Sequence, residues 1–142
     1  MPMLIKHIDA IAREKQRDVL FLAFRSQQSA KENSWNLWDY DEAQVPIRNE
    51  VCLWLTRHEI PWQPCGDIAN ENTMTGYLGL IYLDVPYDDN DQLYQIVRDY
   101  LEYSDGRPRF ETVGFWYLPL EKAMENAHHD EPGFWEKWAE TF

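Results

Sequence analysis

Residues 77–85 read YLGLIYLDV. A strand with one face in water alternates apolar and polar side chains. This stretch does not alternate. Successive strand residues point to opposite faces, so Tyr77, Gly79, Ile81, Leu83 and Val85 share one face while Leu78, Leu80 and Tyr82 share the other. The stretch is therefore predicted to be a central strand with cover on both sides.

The same double-sided character recurs in DVLFLAFR (18–25), where Val19, Phe21 and Ala23 oppose Leu20, Leu22 and Phe24. It recurs again in ETVGFWYLP (111–119), where Gly114, Trp116 and Leu118 oppose Val113, Phe115 and Tyr117. A weaker strand, WQPCGDIA (62–69), is interrupted by Pro64 and Gly66, which suits a sheet edge.

Helical spacing fills the intervals. Leu4, Ile5, Ile8, Ile11 and Ala12 predict a helix over 3–16, with Lys6, Asp9, Arg13 and Glu14 off its apolar stripe. Pro46 fits the first turn of a second helix, whose Ile47, Val51, Trp54, Leu55 and His58 share a face before Ile60-Pro61 ends it. Leu93, Ile96, Val97, Tyr100 and Leu101 predict a third helix over about 90–104, and Asp89 with Gln92 has capping-box spacing. NENTMTG (70–76) and SDGRPR are turn-rich. The stretch after the last strand predicts a short helix, a break at Pro132-Gly133 and a final aromatic helix.

Without its first and last helices, the chain reads strand–helix–strand–strand–helix–strand. That is the α+β, ferredoxin-like split βαβ pattern, a four-stranded antiparallel sheet of order 4-1-3-2 within a single domain spanning 1–142. The resemblance is one of topology, and this topology hosts many unrelated functions. Its two core helices cover one sheet face. Large bare apolar faces are rare, so the second must be covered by the helices at either end, by a second copy of the chain, or by a small apolar ligand in a pocket.

The 142 residues are 44% hydrophobic and 27% charged, as expected of a globular chain, and 15% aromatic with seven Trp. The formal net charge is −12. It is uneven: 8 Lys/Arg face 9 Asp/Glu in residues 1–60, against 5 and 16 in residues 61–142. This balance argues against direct nucleic-acid binding and favours a basic partner. Two cysteines, Cys52 and Cys65, make no disulfide scaffold. MPMLIKHIDAIAREK is too often charged for a signal peptide or membrane span, so a cytoplasmic protein is expected.

Chemistry-bearing motifs are weak. AHHDE (127–131) offers metal-ligating types, but adjacent side chains rarely converge on one ion, and a solvated loop is the simpler reading. DVPYDDND lacks the Gly and closing Glu of a calcium loop, and its carboxylates suit a helix start. Cys52 or Cys65 could act as a nucleophile with His58 near, yet buried structural thiols are commoner. No catalytic signature, cofactor motif or phosphate-binding Gly loop is found.

The stretch NSWNLWDYDEAQVP (33–46) sets Trp35, Leu37, Trp38 and Tyr40 in a polar connection. These rings are expected to turn inward as part of the covering layer, or to roof a pocket. The function expected first is a non-catalytic protein-binding or regulatory module, of inhibitor, immunity-type or adaptor kind, steered to a basic partner by charge and held by aromatics. The alternative is a small-molecule-binding protein or enzyme with an apolar pocket on the second sheet face. Candidate binding residues are Trp35, Trp38, Tyr40, Trp135, Trp138, Tyr82, Asp84, His58 and Cys65. No metal or cofactor is expected, and either a monomer or a homodimer fits.

Overall fold

The computed structural model describes residues 6–35, 45–69 and 78–140. Helix α1 (Ile8–Lys15) leads into strand β1 (Val19–Phe24). A short α2 (Gln27–Lys31) follows, capped by the Ser26 hydroxyl, within the polar connection, where no helix is predicted. Then come α3 (Pro46–Arg57), β2 (Trp62–Pro64), β3 (Ile81–Leu83), α4 (Gln92–Leu101) and β4 (Val113–Leu118). The chain closes with α5 (Leu120–Ala123), a 3-10 helix (Met124–Asp130) and α6 (Phe134–Glu140).

The four strands lie in the predicted order 4-1-3-2, every neighbouring pair antiparallel. β1 is central and pairs Leu20 with Leu83 on one side and with Tyr117 on the other. β3 is shorter than the nine residues expected. Gly79 adopts φ 82°, a left-handed conformation that Gly enters at little cost and that breaks the strand. Leu78 and Leu80 are nonetheless buried, and the Leu80 carbonyl accepts from the Cys65 N–H at 3.0 Å. α4 also starts later than expected. Its cap is Asp91, which accepts from the Tyr94 N–H at 2.9 Å, and not Asp89.

Both sheet faces are apolar, as the strand patterns predict. On the first, Leu20, Leu22, Phe24, Ile81, Leu83 and Val113 meet Val51, Cys52 and Leu55 of α3 and Tyr94, Val97 and Leu101 of α4. On the second, Val19, Ala23, Leu80, Tyr82 and Leu118 meet Ile8, Ile11 and Ala12 of α1 and Ala123 of α5, with Trp35 packed alongside. The chain therefore supplies cover for its second face, chiefly through α1. Of the inward-turning aromatics expected in that layer, Trp35 is there. Leu37, Trp38 and Tyr40 lie outside the described residues, as do Tyr77 and the connection 70–76.

One feature runs against the sequence reading. Asp9 and Arg13, assigned to the polar side of α1, are 0% and 5% exposed. Arg13 forks onto Asp130 with Nε–Oδ2 2.8 Å and Nη2–Oδ1 2.9 Å, and its Nη1 reaches Asp9 at 2.9 Å and the Ala123 carbonyl at 3.0 Å. Asp9 also accepts from the Ala69 N–H and the Asn126 amide, both at 3.0 Å. AHHDE is thus no solvated loop. It ends a 3-10 helix whose Asp130 clasps α1 and whose His129 is buried against Phe134 and Trp135.

Candidate functional site

The two edges of the sheet are built differently. In an antiparallel pair, alternate residues turn their N–H and C=O toward the partner or away from it. The bonds from Cys65 N–H to Leu80 O and from Asp84 N–H to Pro61 O turn Gln63 and Cys65 inward, leaving Trp62 and Pro64 to face outward. Pro64 has no N–H to leave unpaired there. Just beyond it, the outward groups of Gly66 bond to Lys6 O at 2.8 Å and Ile8 N at 2.9 Å. The β2 edge is short and blocked, as a protected edge should be.

The β4 edge has none of these protections. Arg25 N–H bonds to Thr112 O at 3.0 Å, which fixes the alternation: Gly114, Trp116 and Leu118 face β1, and Val113, Phe115 and Tyr117 face outward. Val113 N–H turns back to Phe110 O at 3.2 Å. The outward backbone groups of Phe115 and Tyr117 have no partner among the described residues. The strand VGFWYL contains no charge and no Pro. Sheet edges of this composition are templates for another strand.

Exposed rings flank this edge on both faces. Trp116 is 45% exposed, Tyr117 51% and Tyr87 46%. On the α4 side, Tyr87 stacks on Tyr94 at 5.5 Å and meets Tyr117 edge-on at 4.8 Å, while Tyr94 lies 6.3 Å from Phe115. On the other side, Trp35 meets Trp116 edge-on at 5.8 Å, and the Arg25 guanidinium sits 4.0 Å over the Trp35 ring. Gly114 is what lets this happen: a Cβ there would collide with the Trp116 indole nitrogen.

Two hollows open along the edge. The smaller, about 110 Å³, is lined by Leu20, Tyr87, Tyr94, Glu102, Phe115, Trp116 and Tyr117. The larger, about 220 Å³, lies among Trp35, Leu101, Glu102, Pro108, Phe115 and Trp116. Glu102 belongs to both. Burial holds its carboxyl above the ordinary value, against a smaller opposing pull from Arg98. Its carboxylate oxygens take no hydrogen bond among the described residues.

A second concavity, about 440 Å³, lies between α1 and β2, walled by Ile11, Glu14, Lys15, Pro61, Trp62 and Tyr82. It brings together two predicted residues, Tyr82 and Asp84. Their polar atoms already satisfy each other: one Asp84 oxygen accepts from the Tyr82 hydroxyl at 2.9 Å and from Arg17 at 2.7 Å. Burial, with the Asp84 interaction adding to it, pushes the Tyr82 hydroxyl up to about 12. Lys6 is likewise taken by Glu14 at 2.7 Å.

The other predicted residues are dispersed. Cys65 is wholly buried in the second core cluster, where burial and the Asp67 charge push its thiol up to about 12. His58 is exposed at the end of α3, stacked on Trp54 at 4.2 Å with Nδ1 2.9 Å from the Trp54 carbonyl. It lines neither the edge hollows nor the α1–β2 concavity. Trp135 stacks on His7 at 5.9 Å and meets Trp138 at 5.3 Å, so α6 folds back on the start of α1. Trp38 and Tyr40 lie outside the described residues. Among the described candidates, only Trp35 joins the β4 edge.

Sequence reasoning missed Trp116, Tyr117, Tyr87 and Glu102. A signal was present: in the order 4-1-3-2 the last strand is an edge, and between Glu111 and Pro119 at its two ends it carries neither charge nor Pro. Among the described residues no group of His, Cys, Asp and Glu is arranged to hold a metal ion. No described helix is long and apolar enough to cross a membrane. No protein-family model matches the chain, and no curated protein or solved structure matches it either.

Proposed function

We propose that the protein is a non-catalytic binding module that accepts an extended segment of a basic protein partner along the β4 edge. The observation that carries this reading is the pair of outward-facing residues Phe115 and Tyr117, whose outward backbone groups have no partner among the described residues, on a charge-free strand ringed by exposed aromatics. Added strands gain affinity from main-chain bonds and specificity from alternate side chains. Trp and Tyr are the residues that most often dominate interface energy. The net charge of −12, concentrated in the second half of the chain, favours a partner of opposite sign and speeds encounter.

This reading goes with a ferredoxin-like assignment of the fold. Its support is the order 4-1-3-2, the antiparallel pairing throughout, and α3 and α4 sharing one core cluster. In that topology the last strand is an edge by construction.

Selection from a random peptide library displayed on phage tests the function. Wild-type protein should enrich extended, Lys- or Arg-containing sequences with alternating apolar residues. Tyr117→Pro should lose them, because Pro removes the outward N–H while leaving the bonds to β1 in place. Enrichment of acidic sequences, or equal recovery by the variant, would remove the proposal.

A further inference from the structure

We infer that the hollow shared by Glu102 and the tyrosines receives a lysine side chain of the strand that adds to β4. The inference rests on the strand-addition reading above and names the chemistry of the partner at one position.

Geometry comes first. Side chains directly opposite each other on paired antiparallel strands have Cβ atoms about 4.5–5.5 Å apart. On β4, Phe115 and Tyr117 project toward the α4 side of the sheet, the side of Leu20 and Tyr94. A residue of the incoming strand opposite either of them must place its side chain beside the Tyr87, Tyr94 and Tyr117 rings and Glu102. The positions are set by the sheet, so the hollow reads the side chains that a docked segment sets opposite Phe115 and Tyr117.

Chemistry then selects what fits. The hollow is lined by three tyrosines, Phe115, Trp116, Leu20 and Glu102, so aromatic carbon for an alkyl stem stands beside polar groups for its charged end. Tyrosine faces attract cations through the ring quadrupole. At the wall stands a partly buried carboxylate without a hydrogen-bond partner among the described residues. A lysine supplies all three complements: an apolar stem, a cation for the rings, and N–H donors for Glu102. An acidic side chain would be repelled. A neutral apolar one would leave Glu102 desolvated without compensation.

Arg98 is the nearest competitor. Its guanidinium lies 5.7 Å from the Tyr94 ring, but it is held at the surface by Asp99 at 3.4 Å and Asp89 at 3.7 Å. Its guanidinium makes no hydrogen bond to the Glu102 carboxylate, and the two residues are bonded through the Glu102 N–H and the Arg98 carbonyl at 2.8 Å. Arg109 bonds to the Glu102 backbone carbonyl at 3.1 Å and leaves the carboxylate alone.

The probes are two blocked nonapeptides of alternating Thr and Val, one with a central Lys and one with norleucine in its place. Binding is read from tryptophan emission, since Trp116 and Trp35 flank the edge. Wild-type protein should bind the Lys peptide the more tightly. Glu102→Gln should weaken that peptide by about tenfold and leave the norleucine peptide unchanged. Tyr117→Pro should weaken both. If both peptides bind wild type equally and Glu102→Gln alters neither, the lysine site is wrong while strand addition stands. If neither peptide binds wild type, both readings fail. Sedimentation showing a wild-type dimer that Tyr117→Pro dissociates would assign the edge to a second copy of the chain and overturn the inference.

Discussion

Arg13 brings a permanent charge into a site with 5% exposure, and it is tolerated because each side of its guanidinium finds an acceptor. Removing one partner of a buried pair leaves the other desolvated, at a cost of about 3–5 kcal/mol. Arg13→Ala should lose about that much in urea denaturation, because Asp9 would remain buried. The same site sets an acid limit. Burial alone would raise Asp9, but the bonds from Ala69, Arg13 and Asn126 outweigh it and hold the carboxyl below the ordinary 3.8. The Arg13 fork lowers Asp130 likewise. With folded values below unfolded ones, the unfolded chain binds more protons in that window. The stabilisation is full above the unfolded values and is lost as pH falls through the folded ones. Denaturation midpoints measured from about pH 5 downward should fall more steeply for wild type than for Asp9→Asn, whose side chain does not titrate.

At the scale of elements, β4 is where stability and function meet. The Trp116 ring lies over Gly114, so the strand keeps a residue of low strand propensity to seat a large exposed ring. Gly114→Ala should displace that ring and cost about 1–3 kcal/mol by overpacking. A shift in tryptophan emission together with a lower melting temperature would register both effects. Unchanged emission would show that the ring is not held there. The two sheet edges differ in what closes them: β2 is closed by Pro64 and by the Lys6–Ile8 segment, whereas β4 carries neither device among the described residues.

Across the whole molecule, α1 is the lid of the second core. It buries Ile8, Ile11 and Ala12 against the sheet and ties to the 3-10 helix through Asp130. Deleting residues 1–17 should expose Leu80 and Tyr82, raise binding of a hydrophobic dye, and abolish cooperative unfolding. A truncated protein that still unfolds in one sharp transition would show that α1 is dispensable. The α+β class, the four strands and the need for two-sided cover were legible in residue spacing, whereas the strand order followed from the resemblance of the element order to a known topology. The cover itself was legible only in part, since the periodicity of 3–16 marked a helix with an apolar stripe but not which surface it would meet. The candidate site was less legible still: of the described residues chosen for aromatic or polar character, only Trp35 stands at the β4 edge.

Local pattern determined what each segment is, because alternation and helical period are properties of neighbours in the chain. For that reason the part of YLGLIYLDV that forms β3, Ile81–Leu83, reads as a covered strand. Only the tertiary structure decided that Asp9 and Arg13 go inside, since the partner that makes their burial tolerable, Asp130, lies 117 residues from Arg13. It also decided that Glu102 stands beside Tyr87, Tyr94 and Phe115, because a surface hollow is made by elements that meet in space and leaves no period in the sequence.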